Sequence, residues 1–468
     1  MTIQFCIKTL RTSLDAFQIY KLIAKGEDYI FLDSSKKELP YGGYSIIGAN
    51  PFLTVKYENN CIYEKAGGEL FSPLATHKNI FDYLKEKIQK YKLNNPTDLP
   101  FIGGAIGYFS YDFGCRLKRI TMPSEQVAAI PEVYFVFYDN AIIIDHTTEQ
   151  VSITGLGVLQ DAKKSVDSLM CEIQRSKCNE KKQGIFENST HTPFFKSRFS
   201  KKDYIKAIEK MQDYIHKGDI GLANMTHTFS SVFQNNPQST YENLRRVNPA
   251  PFSAYLPLDG FHVLCSSPER FLKVQNGDVE TRPIKGTIPR GQTPQEDEIN
   301  RRILENSEKD KAELAMITEL EKNNLKKVCK PDTVTVRELF KIETFATVFH
   351  LVSTIVGTLK NNCTSVDCME AMFPGGSITG APKIRSMEII SELERNQRSL
   401  YTGSIGYLGF DGNADFNVVI RSILIKDNYA HIGVGGGITS QSNPQWEYNE
   451  TIAKAIALFN SLKAEYFV

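Results

Sequence analysis

The sequence has almost no charge of one sign to spare: 54 Asp and Glu stand against 55 Lys and Arg, a formal net charge of +1. This balance excludes the broad basic surface that nucleic acid requires. The nine cysteines (Cys6, Cys61, Cys115, Cys171, Cys178, Cys265, Cys329, Cys363 and Cys368) are odd in number and scattered, and none forms a C-x-x-C pair. Neither a disulfide framework nor a zinc site is expected, and a reducing cytoplasm fits. The start, MTIQFCIKTL, lacks a basic stretch followed by an apolar run, so no signal peptide is expected. No apolar run is long enough to span a bilayer, so no membrane association is expected. Internal repeats and low-complexity tracts are missing. So are the P-loop and the dinucleotide fingerprint, which disfavours nucleotide binding.

What remains is an ordinary globular composition over 468 residues, 41% hydrophobic and 23% charged, enough for one large or two medium domains. Residues 1–155 read as mixed α and β, with strands at Tyr29–Ser35, Tyr44–Gly48, Phe52–Tyr57, Gly103–Phe109, Val133–Phe137 and Ala141–Ile144. Residues 156–199 read as a helix followed by a mobile linker, Ser176 to Thr192, rich in Lys, Glu, Ser and Asn. A second domain spans 200–468. It opens with an amphipathic helix, Lys202 to Lys217, carrying Tyr204, Ile208, Met211 and Ile215 on one stripe, and continues with a strand from Gly221 to Phe233. Helices are predicted at Pro294–Asn306, at Lys309–Asn323 behind a Ser307 cap, after Thr364, at Lys383–Glu394 and at Pro444–Lys463. Strands are predicted at Thr333–Val336, Gly403–Phe410, Asn417–Ile425 and His431–Val434, with a further apolar segment at Phe345–Val356.

The chain is organised around Ser266 to Gly291. Ser267-Pro268-Glu269 leads into a hairpin, Arg270–Val274 and Val279–Arg282, turning at Gln275–Asp278 and ending in Pro283-Ile284-Lys285-Gly286-Thr287. The open ends of a hairpin lie side by side, which brings Glu269 and Lys285 towards one pocket. They read either as an exposed ion pair or as an acid/base group beside a nucleophilic amine. Glu313 projects from the stripe formed by Met316, Ile317 and Leu320, where a carboxylate must be neutralised, paired, metal-bound, or relieved by solvent near a helix start. Glu447, Glu450 and Lys454 share a helix face opposite Ile452, Ile456 and Phe459. That face is either solvated or turned into a cleft, where two of its carboxylates and Glu313 would suit magnesium. The run Gly375 to Lys383 delivers hydroxyls, including Ser377, and free N–H groups to a helix start, as a bound carboxylate or phosphate would need, or as a plain capped helix would show. Gly435-Gly436-Gly437 after a strand invites close ligand approach or forms a bulge. His350 lies in an apolar context, a core or a catalytic histidine. Arg421 interrupts an apolar strand and needs an anion.

The motifs SPERF (267–271), PIKGT (283–287), FHLVST (349–354), FPGGSITGAPK (373–383), GSIGYL (403–408), GGGI (435–438) and EYNET (447–451), taken in order, resemble the chorismate-using enzymes. Weaker matches at Leu32-Asp33-Ser34 and Gly103–Asp112 extend the resemblance into the first half. It implies an α+β fold with a large antiparallel β-sandwich-like core, helices outside, and interlocked N- and C-terminal portions. It implies that Glu313 and Glu450, with Glu447 close by, hold Mg2+, which grips the ring carboxylate of chorismate. Gly286, Thr287, Ser377, Tyr401, Arg421, Gly435, Gly436, Gly437 and Lys454 would contact the substrate. Glu269 and His350 would move protons as the C4 hydroxyl leaves. Lys285 is similar to the aminodeoxychorismate synthase branch, where the lysine amine attacks C2; anthranilate synthases carry alanine there. An attacking amine must be neutral, which desolvation or a nearby cation favours. Leu222 stands where isochorismate-forming relatives carry a water-activating lysine.

Three stretches depart from the family pattern: Gly221 to Met225, Lys322-Asn323-Asn324, and Thr439 to Gln441. The chain also lacks a Gly-x-Cys-x-Gly glutaminase turn, so ammonia is expected from a separate glutamine amidotransferase subunit. Asp33, Ser34, Pro251, Phe252 and Ser253 match a tryptophan site of relatives, with Phe252-Ser253 in the form that does not imply feedback inhibition. Two other readings stay open: anthranilate synthase component I, and a non-catalytic paralogue that binds chorismate.

Overall fold

Alternation decides the centre of the molecule. In the strand Val133–Asp145, Val133, Phe135 and Phe137 pack to one side, while Tyr134, Val136 and Tyr138 pack to the other, and all six are fully buried. A strand apolar on both faces must be covered on both. The computed structural model describes residues 3–35, 43–67, 69–74, 78–175, 192–345 and 348–466, and shows how that is done. The predicted linker from Ser176 lies outside the described residues, Thr192 aside.

The strands form two arms that share the long strands Tyr44–Glu58 and Val133–Asp145. In the first arm, Phe31–Asp33 joins Phe252–Leu258, followed by Phe261–Ser267, Ser422–Lys426, Tyr429–Ile438 and Leu222–Val232. In the second, Gly104–Phe109 joins Ser404–Gly409, followed by Ala414–Asn417, Arg270–Gln275, Asp278–Thr281, Val348–Thr358 and Thr335–Thr344. Among the described residues every ladder is antiparallel except the short pair of Phe194–Ser197 with Glu465–Tyr466. The arms face each other across Ile106, Tyr108, Tyr134, Tyr138, Leu256, Val263 and Tyr407. Helices cover the outer faces, including Ala16–Ile23, Ala162–Arg175, Lys201–His216 and Pro444–Leu462 on one side, and Ile80–Lys90, Glu308–Val328 and Ser365–Met372 on the other. The fold is the expected α+β sandwich-like core surrounded by helices. No helix among the described residues is long and apolar enough to cross a membrane.

Several boundaries differ from the sequence expectation. The segments read as separate strands around Asn50-Pro51 are one strand, Tyr44–Glu58, with a register shift between Pro51 and Leu53. The two pieces at 133–137 and 141–144 are likewise one strand. Conversely, Asn417–Ile425 is not continuous: Ala414–Asn417 ends, the chain turns with Arg421 in the left-handed region (φ 54°), and Ser422–Lys426 begins. The triple glycine lies inside the strand Tyr429–Ile438 rather than after it. On the last helix Ile456 is exposed, and Ile452, Ala455, Leu458 and Phe459 form the buried stripe.

Candidate active site

Where the two arms approach the helices, a cavity of about 330 Å³ opens. Its first wall comes from the predicted hairpin. Asn276 (φ 53°) and Gly277 (φ 85°) make a left-handed two-residue turn that matches strand twist. The return arm resumes past Pro283 as Ile284–Pro289, still paired with Val348–Thr358. Glu269 and Lys285 both line the cavity. A bulge at Gly286 (φ 72°) lets Thr287 reach it as well. Thr287 Oγ1 lies 2.8 Å from His350 Nδ1, and Phe345 stands edge-on to that imidazole at 5.0 Å.

Lys285 Nζ donates to the carbonyl of Ser377 at 3.0 Å. A Cβ on Gly437 would stand 3.1 Å from both Lys285 Nζ and Glu313 Oε2, so any side chain there would press on the amine and the carboxylate. Burial pushes the Glu269 carboxyl up to about 7, with the Ser377 hydrogen bond and the Lys285 charge partly offsetting it. Such a group exchanges a proton near neutrality.

The acidic end joins two helices. Glu308–Val328, capped by Ser307, carries Glu313, and burial raises its carboxyl against the pull of Lys285 and Lys309. Pro444–Leu462 carries Glu447, Glu450 and Lys454, and this polar face looks into the cavity. The Lys309 ammonium lies 2.9 Å from Glu447 Oε1 and 3.9 Å from Glu313 Oε1. Lys454 Nζ lies 2.7 Å from Glu450 Oε1 and holds its carboxyl below the usual range. Among the described residues no three acidic, His or Cys groups converge closely enough to hold a metal ion. The three glutamates thus surround one end of the cavity with ammonium groups between them. An ammonium held by two of these carboxylates is a cation in their midst, and an all-oxygen donor set suits a hard cation.

The opposite wall is built differently. Tyr401 lies flat against Gly433, whose Cβ would fall 2.2 Å from the ring. Arg421 Nη1 donates to the carbonyl of Lys454 at 2.5 Å, and burial lowers its affinity for its own proton. A half-buried guanidinium hydrogen-bonded to a neutral carbonyl can take an incoming anion. Gly435, Gly436 and Gly437 run along the same wall, and Gly435 O accepts from Lys454 Nζ at 3.0 Å.

All the residues predicted to act on or contact substrate, and the three glutamates, line this one cavity. One expectation changes. The Gly375–Lys383 loop does not offer its donors outward: Gly376 N–H is taken by Glu321, Thr379 Oγ1 donates to Gly375 O, and the Lys383 amine is buried. What the loop turns towards the cavity is a carbonyl acceptor and the Ser377 hydroxyl. Lys309, Asn224 and Gly433 also line the cavity and were not singled out; only Lys309 carried a signal, four residues before Glu313. Of the other predicted group, Asp33, Pro251, Phe252 and Ser253 line a separate cavity of about 340 Å³, but Ser34 does not. Asp33 is already bound by Arg245 Nε at 2.8 Å and by Tyr241 and Ser45 at 3.1 Å.

The sequence matches the family profile described as chorismate binding enzyme over residues 27–460. It is 34% identical over 457 residues to anthranilate synthase component 1 of Acetivibrio thermocellus, covering 95% of this chain and 92% of that one. It is 37% identical over 366 residues to aminodeoxychorismate synthase component 1 of Klebsiella aerogenes, covering 78% of each chain. The fold is similar to the crystal structure of anthranilate synthase component I from Streptococcus pneumoniae, with a TM-score of 0.80 and 28% identity over 96% of this chain and 99% of that chain.

Proposed function

The chain belongs to the family of chorismate binding enzymes, and from that premise we propose that it transfers an amino group to chorismate, giving 4-amino-4-deoxychorismate for 4-aminobenzoate and folate synthesis. The observation that carries this reading is Lys285, a primary amine inside the cavity, beside Glu269 and the glycine wall. Its amine attacks C2 of the ring while the C4 hydroxyl, protonated by Glu269, departs as water. Ammonia then bonds at C4, the C2–N bond breaks, and the lysine is regenerated. His350, held by Thr287, serves as the second proton carrier. Arg421 and Lys454 take a substrate carboxylate, and Tyr401 and the glycines shape the ring's seat. Glu313, Glu447 and Glu450, drawn closer together than they stand here, would hold Mg2+, which when bound would supply positive charge for the ring carboxylate. Leu222 supports the choice of nitrogen over water as nucleophile: its Cδ1 would be 3.3 Å from a Cβ on Gly437, apolar and unable to act as a base.

The similar relatives are named as component 1 of their enzymes. We take the ammonia source to be a separate glutamine amidotransferase subunit, replaced in the test by an ammonium salt. Incubation with chorismate, Mg2+ and ammonium, followed by chromatography, is expected to yield 4-amino-4-deoxychorismate. Anthranilate alone would overturn the reading in favour of the other branch, whose relatives match at comparable identity. Chorismate binding without turnover would favour a non-catalytic paralogue. Lys285→Ala is expected to lower turnover by about a hundredfold or more.

A further inference from the structure

Two buried ionisable groups have no part in this chemistry. Glu321 is 2% exposed and Lys383 is 8% exposed. Charges so placed are costly unless hydrogen bonds compensate them. Both are spent on the same stretch of backbone. The Glu321 carboxylate accepts from Gly376 N–H through one oxygen and from Asn324 Nδ2 at 3.2 Å through the other. The Lys383 ammonium donates to Met372 O at 2.7 Å and to Pro374 O at 2.6 Å. Residues 372–376 are therefore clamped by an anion on an N–H and a cation on two carbonyls. Just beyond, Arg398 Nη1 donates to Ile378 O at 2.9 Å.

Ser377 lies between these clamps and touches both groups of the cavity's first wall. Its carbonyl accepts from Lys285 Nζ at 3.0 Å, and its side chain lines the cavity beside Glu269, where it favours the ionised carboxylate. We propose that Glu321 and Lys383 are positioning residues which, through Ser377, fix the direction of the Lys285 amine and the seating of Glu269. Neither touches substrate; each acts by removing freedom from one loop. An ångström of slack in such a support is enough to cost most of a reaction's rate.

The inference rests on the reading of Lys285 as nucleophile, but its test does not need turnover. Trace acetylation with acetic anhydride, mapped by peptide mass spectrometry, reports the reactivity of Lys285 relative to exposed Lys326 in the same chain. Glu321→Ala is expected to change that ratio by about threefold or more through loosening of the loop. Glu321→Gln keeps an acceptor for Gly376 N–H and is expected to restore the ratio. Glu319→Ala, exposed on the same helix, is expected to leave it unchanged. With chorismate, Glu321→Ala should lower kcat by about tenfold with KM nearly constant, since a misdirected amine weakens the reacting geometry rather than binding. Lys383→Met is read by the same criteria if Glu321→Ala does not fold. An unchanged Lys285 ratio in a folded Glu321→Ala or Lys383→Met protein overturns the proposal. If the unmodified enzyme does not convert chorismate, the functional reading fails while the acetylation ratio still decides this one.

Discussion

Glu269 holds its proton to about 7 because burial opposes its charge more than Ser377 and Lys285 favour it. In the proposed reaction it donates to the departing hydroxyl and is active when protonated, so kcat/KM should fall about tenfold per pH unit above neutrality. That limb should vanish in Glu269→Gln along with most of the rate. Stability follows from the same group. In the unfolded chain this carboxyl titrates near 4.5, so between about 4.5 and 7 the fold retains a proton that the unfolded chain has released. Native stability therefore declines as pH rises through that window, and Glu269→Gln should flatten the decline in melting temperature. Gly437 makes a second test. Gly437→Ala places a methyl 3.1 Å from Lys285 Nζ and Glu313 Oε2, and should cost about tenfold or more in turnover. Its melting temperature should barely change, because the crowded atoms are ends of side chains. At this scale the sequence points to cavity residues where a side chain contradicts its surroundings: Glu313 on an apolar stripe and Arg421 in an apolar run both line the cavity. It passes over Lys309 and Glu321, whose surroundings in a Lys- and Glu-rich helix look solvated, although Glu321 faces the Gly375–Thr379 loop.

The helix Glu308–Val328 shows what a cap contributes. Ser307 Oγ accepts from Asp310 N–H and donates to Asp310 Oδ2 at 2.6 Å, fixing the turn that precedes Glu313. Ser307→Ala should destabilise the protein by about 1 kcal/mol, measured by denaturant unfolding. That start was legible from Ser307 followed by acidic residues; the end was not, because Asn323-Asn324 looks like a terminator. Asn324 continues the helix since its side chain has a buried partner in Glu321. The strand Val133–Asp145 was cut in two for the same reason. Asp139-Asn140 reads as a turn, yet Asp139 accepts from Val158 N–H at 2.8 Å, and Asn140 bonds Asn50 at 2.8 Å and Ser165 at 2.9 Å. Partners distant in sequence satisfy polar groups that local reading assigns to solvent.

Across the whole molecule the two halves of the sequence are joined by ladders rather than by a surface contact: Phe31–Asp33 pairs with Phe252–Leu258, and Gly104–Phe109 with Ser404–Gly409. Calorimetry should accordingly show one cooperative transition, with calorimetric and van't Hoff enthalpies in agreement; two separable transitions would contradict this. The helices and strands were largely visible in their periodicities, but the pairing of distant strands leaves no local mark in either partner. Tyr44–Glu58 and Val133–Asp145 run in both arms, and the cavity draws Lys285 from one arm and the triple glycine from the other. Sliding the arms would break the long ladder between these two strands, so the gap across the cavity behaves as a caliper locked at one setting. A scaffold of this kind adapts to new chemistry by exchanging single groups along its jaws, such as those at 285 and 222, rather than by widening the jaws themselves.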